Sequence, residues 1–529
     1  MTKQPNIILF MTDQHRADHL GCYGNTVVRT PNIDRIAAKG VCFDRSYVAN
    51  PICMPNRASI LTGRMPSAHG LRSNGVSLSV HARTFVEELA EAGYDTALMG
   101  KLHVQNMTGM DREFTPPGAE NLIEPDGSIR EAVRRGPNGE EYQSENSIRW
   151  REDSTHHVKL PYYGFQHVDL TTFHGDNVQA EYLRWLGERC DDPDSLRGPQ
   201  NALPDDRITL PQAWRTAIPE ELYPSSFVAE KTIDYLKKRG ESESDSPFFI
   251  QCSFPDPHHP FTPPGKYWDM YDPDEMVLPA AFGKGDTPTL RHLRMEQENG
   301  SAKRYGQIPF AITEREAREA IALTYGMITM VDDCIGRVLD CLEDQGLAED
   351  TILIFMSDHG DLMGDYGVLL KGPIHNQGTV RVPFIWADPA GPFSTRSDAL
   401  MSSIDVSTTI LDRLGIQQYY GAQGQSMMPA VHGEVPERDA ILIEDDRERV
   451  YLNYDRPQRL RTMVTDTHRM TLCRPCDYHE LYDLSLDPCE AENLWDDADP
   501  SPLMHDMQRR MMELLVDYDD WTPALNSRA

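Results

Sequence analysis

The chain has 529 residues, 39% hydrophobic and 25% charged, enough to bury a large core and more than one compact unit usually holds. Its formal net charge of −32 excludes the basic footprint of a nucleic-acid binder, and it means that an anionic substrate would need a local cationic pocket. No apolar run approaches the roughly 18 residues of a membrane span, so no membrane partner is expected.

NIILFM (6–11) has the continuous apolar character of a buried strand. It is too short for a signal-peptide core, which implies a cytoplasmic protein. Thr30-Pro31 opens a short helix closed by Gly40. Thr84 caps FVEELAEAGY, and TALMG follows as a strand. Residues 104–220 then lose periodicity and become rich in Gly, Pro, Asp, Glu and Arg, which predicts long surface excursions serving as lids or oligomer contacts. SSFVAEKTIDYLKKRG is an amphipathic helix leading into the strand PFFIQCSF; a helix over about 313–345 precedes the strand TILIFMSD; RVPFIW and the helix DVSTTILDRLG follow. Short apolar strands separated by helices imply a largely parallel sheet covered on both faces. After about residue 426, AILIEDD, RVYLNYD, RLRTMVTD and HRMTLCR resemble antiparallel strands, and a last helix spans 502–517. The expected organisation is an α/β catalytic domain (1–425), a large, mostly parallel sheet sandwiched by helices, followed by a smaller α+β domain (426–529) on an antiparallel sheet.

Ten cysteines are scattered along the chain, and a cytosolic location predicts that most are reduced. The single C-x-x-C, Cys473 to Cys476, lacks the second pair of a zinc ribbon and reads as structural or incidental. In an open α/β sheet, ligands bind beyond the carboxyl ends of the strands. That rule singles out Asp13-Gln14, Lys101-Leu102-His103 and Asp358-His359.

Residues 53–64 read CMPNRASILTGR. Pro55 can start a helix whose free amides make an anion site near residue 53, and Arg57 lies one turn on, within reach of an oxyanion or the nucleophile. A Pro-flanked loop is a poor place for a structural core cysteine. A cysteine phosphatase would resemble C-x5-R, whereas here the arginine follows after three residues. The segment instead resembles the sulfatase signature, C-x-P-x-R followed by L-T-G-R. Further landmarks occur in that family's order: MTDQHRADHLGCYG, TPNIDRIAAKGVCFDRSYV, GYDTALMGKLHV, PDPHHPF, SDHGDLMGDYG and ELYDLSLDPCEAENL.

The resemblance implies an alkaline phosphatase-like fold and a Cys53 that a separate formylglycine-generating enzyme oxidises to formylglycine. The hydrated aldehyde, held on one divalent metal, would attack a sulfate ester and then collapse to expel sulfate. The resemblance carries metal ligation onto Asp13, Gln14, Asp358, His359 and residue 53. This oxygen-rich set with one imidazole suits Mn²⁺ or Ca²⁺, with Mg²⁺ also compatible. It carries catalytic roles onto Arg57, Lys101, His103, His258 and Lys371, with His258 or Lys371 as general acid, and substrate contact onto Asn74 and His375. The implied substrate is a small anionic sulfate ester. Gln14 with Asp358-His359 is similar to choline sulfatases and phosphonate monoester hydrolases, whereas Lys101 and His103 favour a sulfatase. A non-catalytic binder on this scaffold would have lost such side chains. Long insertions and an acidic surface fit a homo-oligomer, a dimer or tetramer.

Overall fold

The computed structural model describes residues 4–109, 137, 139–393, 395–434, 436–448, 454, 456–496, 498–525 and 527. Nine strands build the main sheet: β1 Asn6–Thr12, β2 Val41–Phe43, β3 Asp95–Lys101, β4 His167–Thr172, β5 Gln179–Ala180, β6 Phe248–Ser253, β7 Thr351–Ser357, β8 Phe384–Ala387 and β9 Thr395–Ser397. Their order is β9-β2-β8-β7-β1-β6-β3-β4-β5. The run β7-β1-β6-β3-β4 is parallel throughout, so five carboxyl ends open on one edge. Two antiparallel members, β8 and β5, make the sheet mixed but mostly parallel. In β1 all seven residues are buried. Ile7, Leu9 and Met11 pack into one apolar layer and Ile8 and Phe10 into the other, which is why the strand reads as an unbroken apolar run.

The covering helices are α1 Pro31–Ala38, α2 Cys53–Thr62, α3 Phe85–Glu91, α4 Pro224–Gly240, α5 Glu314–Asp344 and α6 Asp405–Arg413. Thr84 and Glu87 form a capping box at the start of α3, and Thr313 and Glu316 do the same for α5. α1 starts at Pro31, where the sequence places it, and its first amides are held from a distance. Thr30 makes no side-chain cap; the buried carboxylate of Asp332, on α5, accepts the amides of Asn32 (3.1 Å) and Ile33 (2.8 Å). α2 begins at Cys53 itself, two residues before Pro55.

The reading of 104–220 as surface excursions needs correction. β4, β5 and a helix over Glu181–Gly187 lie inside that region and extend the main sheet. HVDLTT hides from a periodicity search because only its last three residues are buried.

The C-terminal strands β10 Ala440–Asp446, β11 Arg459–Thr465, β12 His468–Arg474 and β13 Glu480–Asp483 form an antiparallel sheet in chain order. Met504, Met507 and Met511 of α7 (Pro502–Asp517) pack on this sheet, in one cluster with Ala49, Met65 and Ile404 of the catalytic part. The expected strand RVYLNYD lies outside the described residues except for Tyr454. Cys473 and Cys476 close a disulfide, and the other eight cysteines are free. Among the described residues no helix is long and apolar enough to cross a membrane.

Candidate active site

Each of the five adjacent parallel strands delivers polar side chains from its carboxyl end. β1 leads to Asp13 and Gln14, β3 ends on Lys101 with His103 two residues beyond, β6 leads to His258, and β7 leads to Asp358 and His359. β4 leads to His174, which the sequence reading missed because it missed the strand. Three of these exits use left-handed backbone at non-glycine residues, Gln14 (φ 62°), His103 (φ 57°) and Phe173 (φ 64°), a conformation that surrounding structure must enforce. Before Lys101, Gly100 takes φ 109°, and any Cβ there would run into the Ser253 carbonyl oxygen of β6. The G-K pair is thus dictated by strand packing as well as by chemistry.

Cys53 enters from the first turn of α2, fully buried. Arg57, one turn on, directs its donors at the carboxylates and their surroundings. Nε donates to Asp358 Oδ2 (2.6 Å), Nη2 to Asp13 Oδ2 (3.3 Å), and Nη1 to the Lys101 carbonyl (2.8 Å) and Ser253 Oγ (3.0 Å). It fixes the two aspartates against each other. Asn56 also supports the site. Its Nδ2 donates to the Asp358 carbonyl (2.5 Å) and its Oδ1 accepts from Ala49 N (3.0 Å) and Ser403 Oγ (2.6 Å).

Two buried lysines line the centre. Lys101 Nζ donates to Asp13 Oδ2 (2.5 Å) and His174 Nε2 (2.5 Å). Lys371 Nζ donates to Gln14 Oε1 (2.8 Å) and His258 Nε2 (2.7 Å). The His174 ring stacks on that of His258 with centroids 3.5 Å apart. Gln14 Nε2 donates to Asp361 Oδ2 (2.6 Å) and contacts His259 Nδ1 (3.3 Å), so Asp361 and His259 orient Gln14.

The electrostatics follow from this packing. Burial raises the Cys53 thiol, but Lys101 and Lys371 outweigh it and hold the group well below its ordinary value. Burial likewise raises the Asp13 carboxyl, and Lys101, His258, His359 and Arg57 overturn that. His174 is lowered to about 3 by burial and then by Lys101. His258 falls well below its usual range through burial, then through His174 and Lys371. His359 moves the other way. Burial lowers it, but Asp358, Asp13 and residue 53 raise it to about 9.

Donor atoms of Asp13, Cys53, His258 and His359 all lie within 4.8 Å of one another. His359 Nδ1 is engaged by the Gly360 carbonyl (2.9 Å), which leaves Nε2 as the ring atom facing the cluster. That Nε2 and Asp13 Oδ1 are both buried without a hydrogen-bond partner and stand 3.3 Å apart. Two buried ligand atoms that face each other without satisfied hydrogen bonds fit a cation between them. Asp358 is turned slightly aside. Its Oδ1 accepts the Gln14 amide (3.2 Å) and lies 3.7 Å from His359 Nε2.

The other expected residues lie in different settings. Asn74 is half-buried, with its Oδ1 lacking a partner. His375 is buried and contacts the C-terminal sheet, with Nδ1 at Thr462 Oγ1 (2.8 Å) and Nε2 at Asp445 Oδ2 (3.2 Å).

The fold is of the alkaline phosphatase-like α/β class. The structure superposes on the phosphonate monoester hydrolase of Agrobacterium radiobacter with a TM-score of 0.74, at 24% identity over 98% of this chain and 97% of that one. Within that class, the sulfatase family model matches residues 5–416, and the chain belongs to the sulfatase family. A second model, for the C-terminal part of N-sulphoglucosamine sulphohydrolase, matches residues 364–517. An arylsulfatase of Clostridium perfringens is 29% identical over 93% of this chain and 90% of its own length. PehA of Trinickia caryophylli, described as a multifunctional alkaline phosphatase superfamily protein, is 27% identical over 99% and 97%.

Proposed function

We propose that this sulfatase-family hydrolase cleaves sulfate monoesters of small aryl or other organic alcohols, with Cys53 carrying the nucleophile after a maturation enzyme converts it to formylglycine. The observation that carries this reading is the pair of buried lysines. Lys101 is 0% and Lys371 2% exposed, and both act on residue 53 strongly enough to overcome its burial. In a chain of net charge −32, such a pocket concentrates positive charge where a sulfuryl group would bind.

Asp13, Gln14, Asp358, His359 and the residue 53 side chain would hold one divalent cation, Mn²⁺ or Ca²⁺, with Mg²⁺ also compatible. Bound there, such a cation makes a hydroxyl on residue 53 more acidic and offsets charge on the sulfuryl oxygens. Lys101, braced between Asp13 and His174, is fixed to meet a sulfuryl oxygen. His103 is near enough to residue 53 for its charge to lower the thiol. Lys371 Nζ and His258 Nε2, 2.7 Å apart, can pass a proton towards the departing oxygen. Asn74, with its unpartnered Oδ1, and His375 are candidates for contact with the leaving group.

A second reading, hydrolysis of phosphonate monoesters or phosphodiesters at the same centre, is favoured by Gln14, an amide bonded to Lys371 and Asp361. Two measurements test the proposal. Conversion of Cys53 lowers the mass of its peptide by about 18 Da, the opposite sign to ordinary thiol oxidation. An active protein with only unmodified cysteine there overturns the mechanism. Cys53→Ala is expected to abolish sulfate release while leaving the melting curve in place. Rates with sulfate and phosphonate esters of one leaving group decide between the two readings.

A further inference from the structure

Asp361 follows shortly after His359 and is fully buried, at the start of the loop 361–371 that ends on Lys371. One of its carboxylate oxygens closes that loop. Oδ1 accepts the amides of Met363 (2.6 Å) and Leu370 (3.2 Å), the latter being the residue just before Lys371. Within the loop Met363, Tyr366 and Leu370 take left-handed backbone, with φ of 43°, 60° and 69°, so the path to Lys371 depends on such tethers. Leu362 N donates to the Leu370 carbonyl (3.1 Å), and Asp361 N to the Gly378 carbonyl (3.0 Å).

The other oxygen, Oδ2, accepts Gln14 Nε2 (2.6 Å), and Gln14 Oε1 in turn accepts Lys371 Nζ (2.8 Å). The links therefore run in a ring, from Asp361 through Leu370 to Lys371, and from the tip of the lysine through Gln14 back to Asp361. Every contact fixes the same orientation of the Gln14 amide. His259 Nε2 faces the Gly306 carbonyl (3.1 Å), which only accepts, so the neutral ring carries its proton there and Nδ1 is an acceptor. The Gln14 NH₂ group thus meets two acceptors, Asp361 Oδ2 and His259 Nδ1 (3.3 Å), while its carbonyl oxygen meets an ammonium. A reversed amide would set oxygen against carboxylate and NH₂ against ammonium. Gln14 is 1%, Lys371 2% and Asp361 0% exposed, so water could not relieve either mismatch.

We propose that Asp361 is the positioning residue for Lys371: through one oxygen it closes the backbone loop that carries the lysine, and through the other it turns Gln14 so that the amide oxygen holds the ammonium group beside His258. A single carboxylate then sets both the root and the tip of a long, flexible side chain, whose free rotation would otherwise have to be frozen at each turnover. The catalytic weight of Lys371 rests on the reading proposed above, whereas the alignment itself does not.

Asp361→Asn separates the two oxygens. Two backbone amides require an acceptor at the Oδ1 position, so the Asn carbonyl stays there and its NH₂ group replaces Oδ2, donor against donor with Gln14. The loop keeps its backbone bonds, and the tip of Lys371 loses its fixed acceptor. One readout is spectroscopic, in the full-length protein supplied with Ca²⁺ and labelled with ¹⁵N-glutamine. The Gln14 side-chain NH₂, assigned by its loss in Gln14→Met, should be protected from solvent exchange in the wild type and exchange at least about tenfold faster in Asp361→Asn. The second readout is a double-mutant cycle on whichever ester, sulfate or phosphonate, is turned over. Asp361→Asn should lower kcat/KM by about 10–100-fold, yet cost nothing further in a Lys371→Met background, where no ammonium is left to align. Losses that multiply in the double variant overturn the proposal. So do Gln14 hydrogens that exchange in the wild type as fast as those of exposed glutamines, an outcome that depends on no variant's folding. A protein that meets both expectations with a phosphonate ester and cleaves no sulfate ester upholds the alignment and refutes only the sulfate assignment.

Discussion

Arg57 illustrates how much one side chain's geometry decides at this centre. Its planar fork reaches Asp358 through Nε and Asp13 through Nη2, and so fixes the spacing of two carboxylates on different strands. Lysine keeps the charge but offers a single point of attachment. Arg57→Lys is therefore expected to weaken divalent-cation affinity and activity by about 10–100-fold without unfolding the chain, as calorimetric titration with manganese and kcat/KM would report. His359 makes a second prediction. Its ring is raised to about 9, so below that pH a proton competes with a cation for Nε2. Cation affinity should climb with pH from neutrality and level off above about 9; a pH-independent affinity would show that Nε2 is not a ligand.

At the scale of elements, local rules and tertiary context divide the work. Thr84 caps α3 by the reciprocal box with Glu87, and its hydroxyl also donates to the Tyr163 carbonyl (2.9 Å). Thr84→Ala should lower stability by about 1 kcal/mol, seen as a shift of the urea midpoint, because the half-buried Glu87 amide and the Tyr163 carbonyl both lose a partner. This cap could be read from the sequence. The cap of α1 could not, since its carboxylate, Asp332, comes from 300 residues away. The same contrast runs through the active site. Asp13, Lys101 and Asp358 were legible because their strands are continuous apolar runs with a charge at the carboxyl end. His174 obeys the identical rule, but β4 begins exposed and only its far half is buried, so no apolar run announces it. Arg57 was visible as a residue while its partners were not, because the contact exists only once β1 and β7 are neighbours.

For the whole molecule, charge poses the main physical tension. A formal −32 opposes the approach of an anion at long range, while Lys101, Lys371 and Arg57 favour it within the pocket. Ionic strength separates the two ranges, since the screening length is about 10 Å at 0.1 M salt. With an anionic ester, kcat/KM should rise as salt is added up to about 0.15 M; with a zwitterionic, choline-like sulfate of no net charge it should stay nearly flat. A rate that falls with salt for the anionic ester would mean that the pocket's own field reaches further than the surface charge.

The irregular 104–220 region has a bearing on how such enzymes diversify. Exchanging surface loops between homologues is a common way to transplant preference for a new leaving group, on the assumption that the scaffold keeps the reaction. Here the same stretch inserts His174 against Lys101 and seats Glu145 beneath the turn that bears His103. A chimera made by swapping it would alter the reactive centre along with the entrance. Preference and turnover are therefore expected to change together in such hybrids, unless those two residues and their bonding partners travel with the graft.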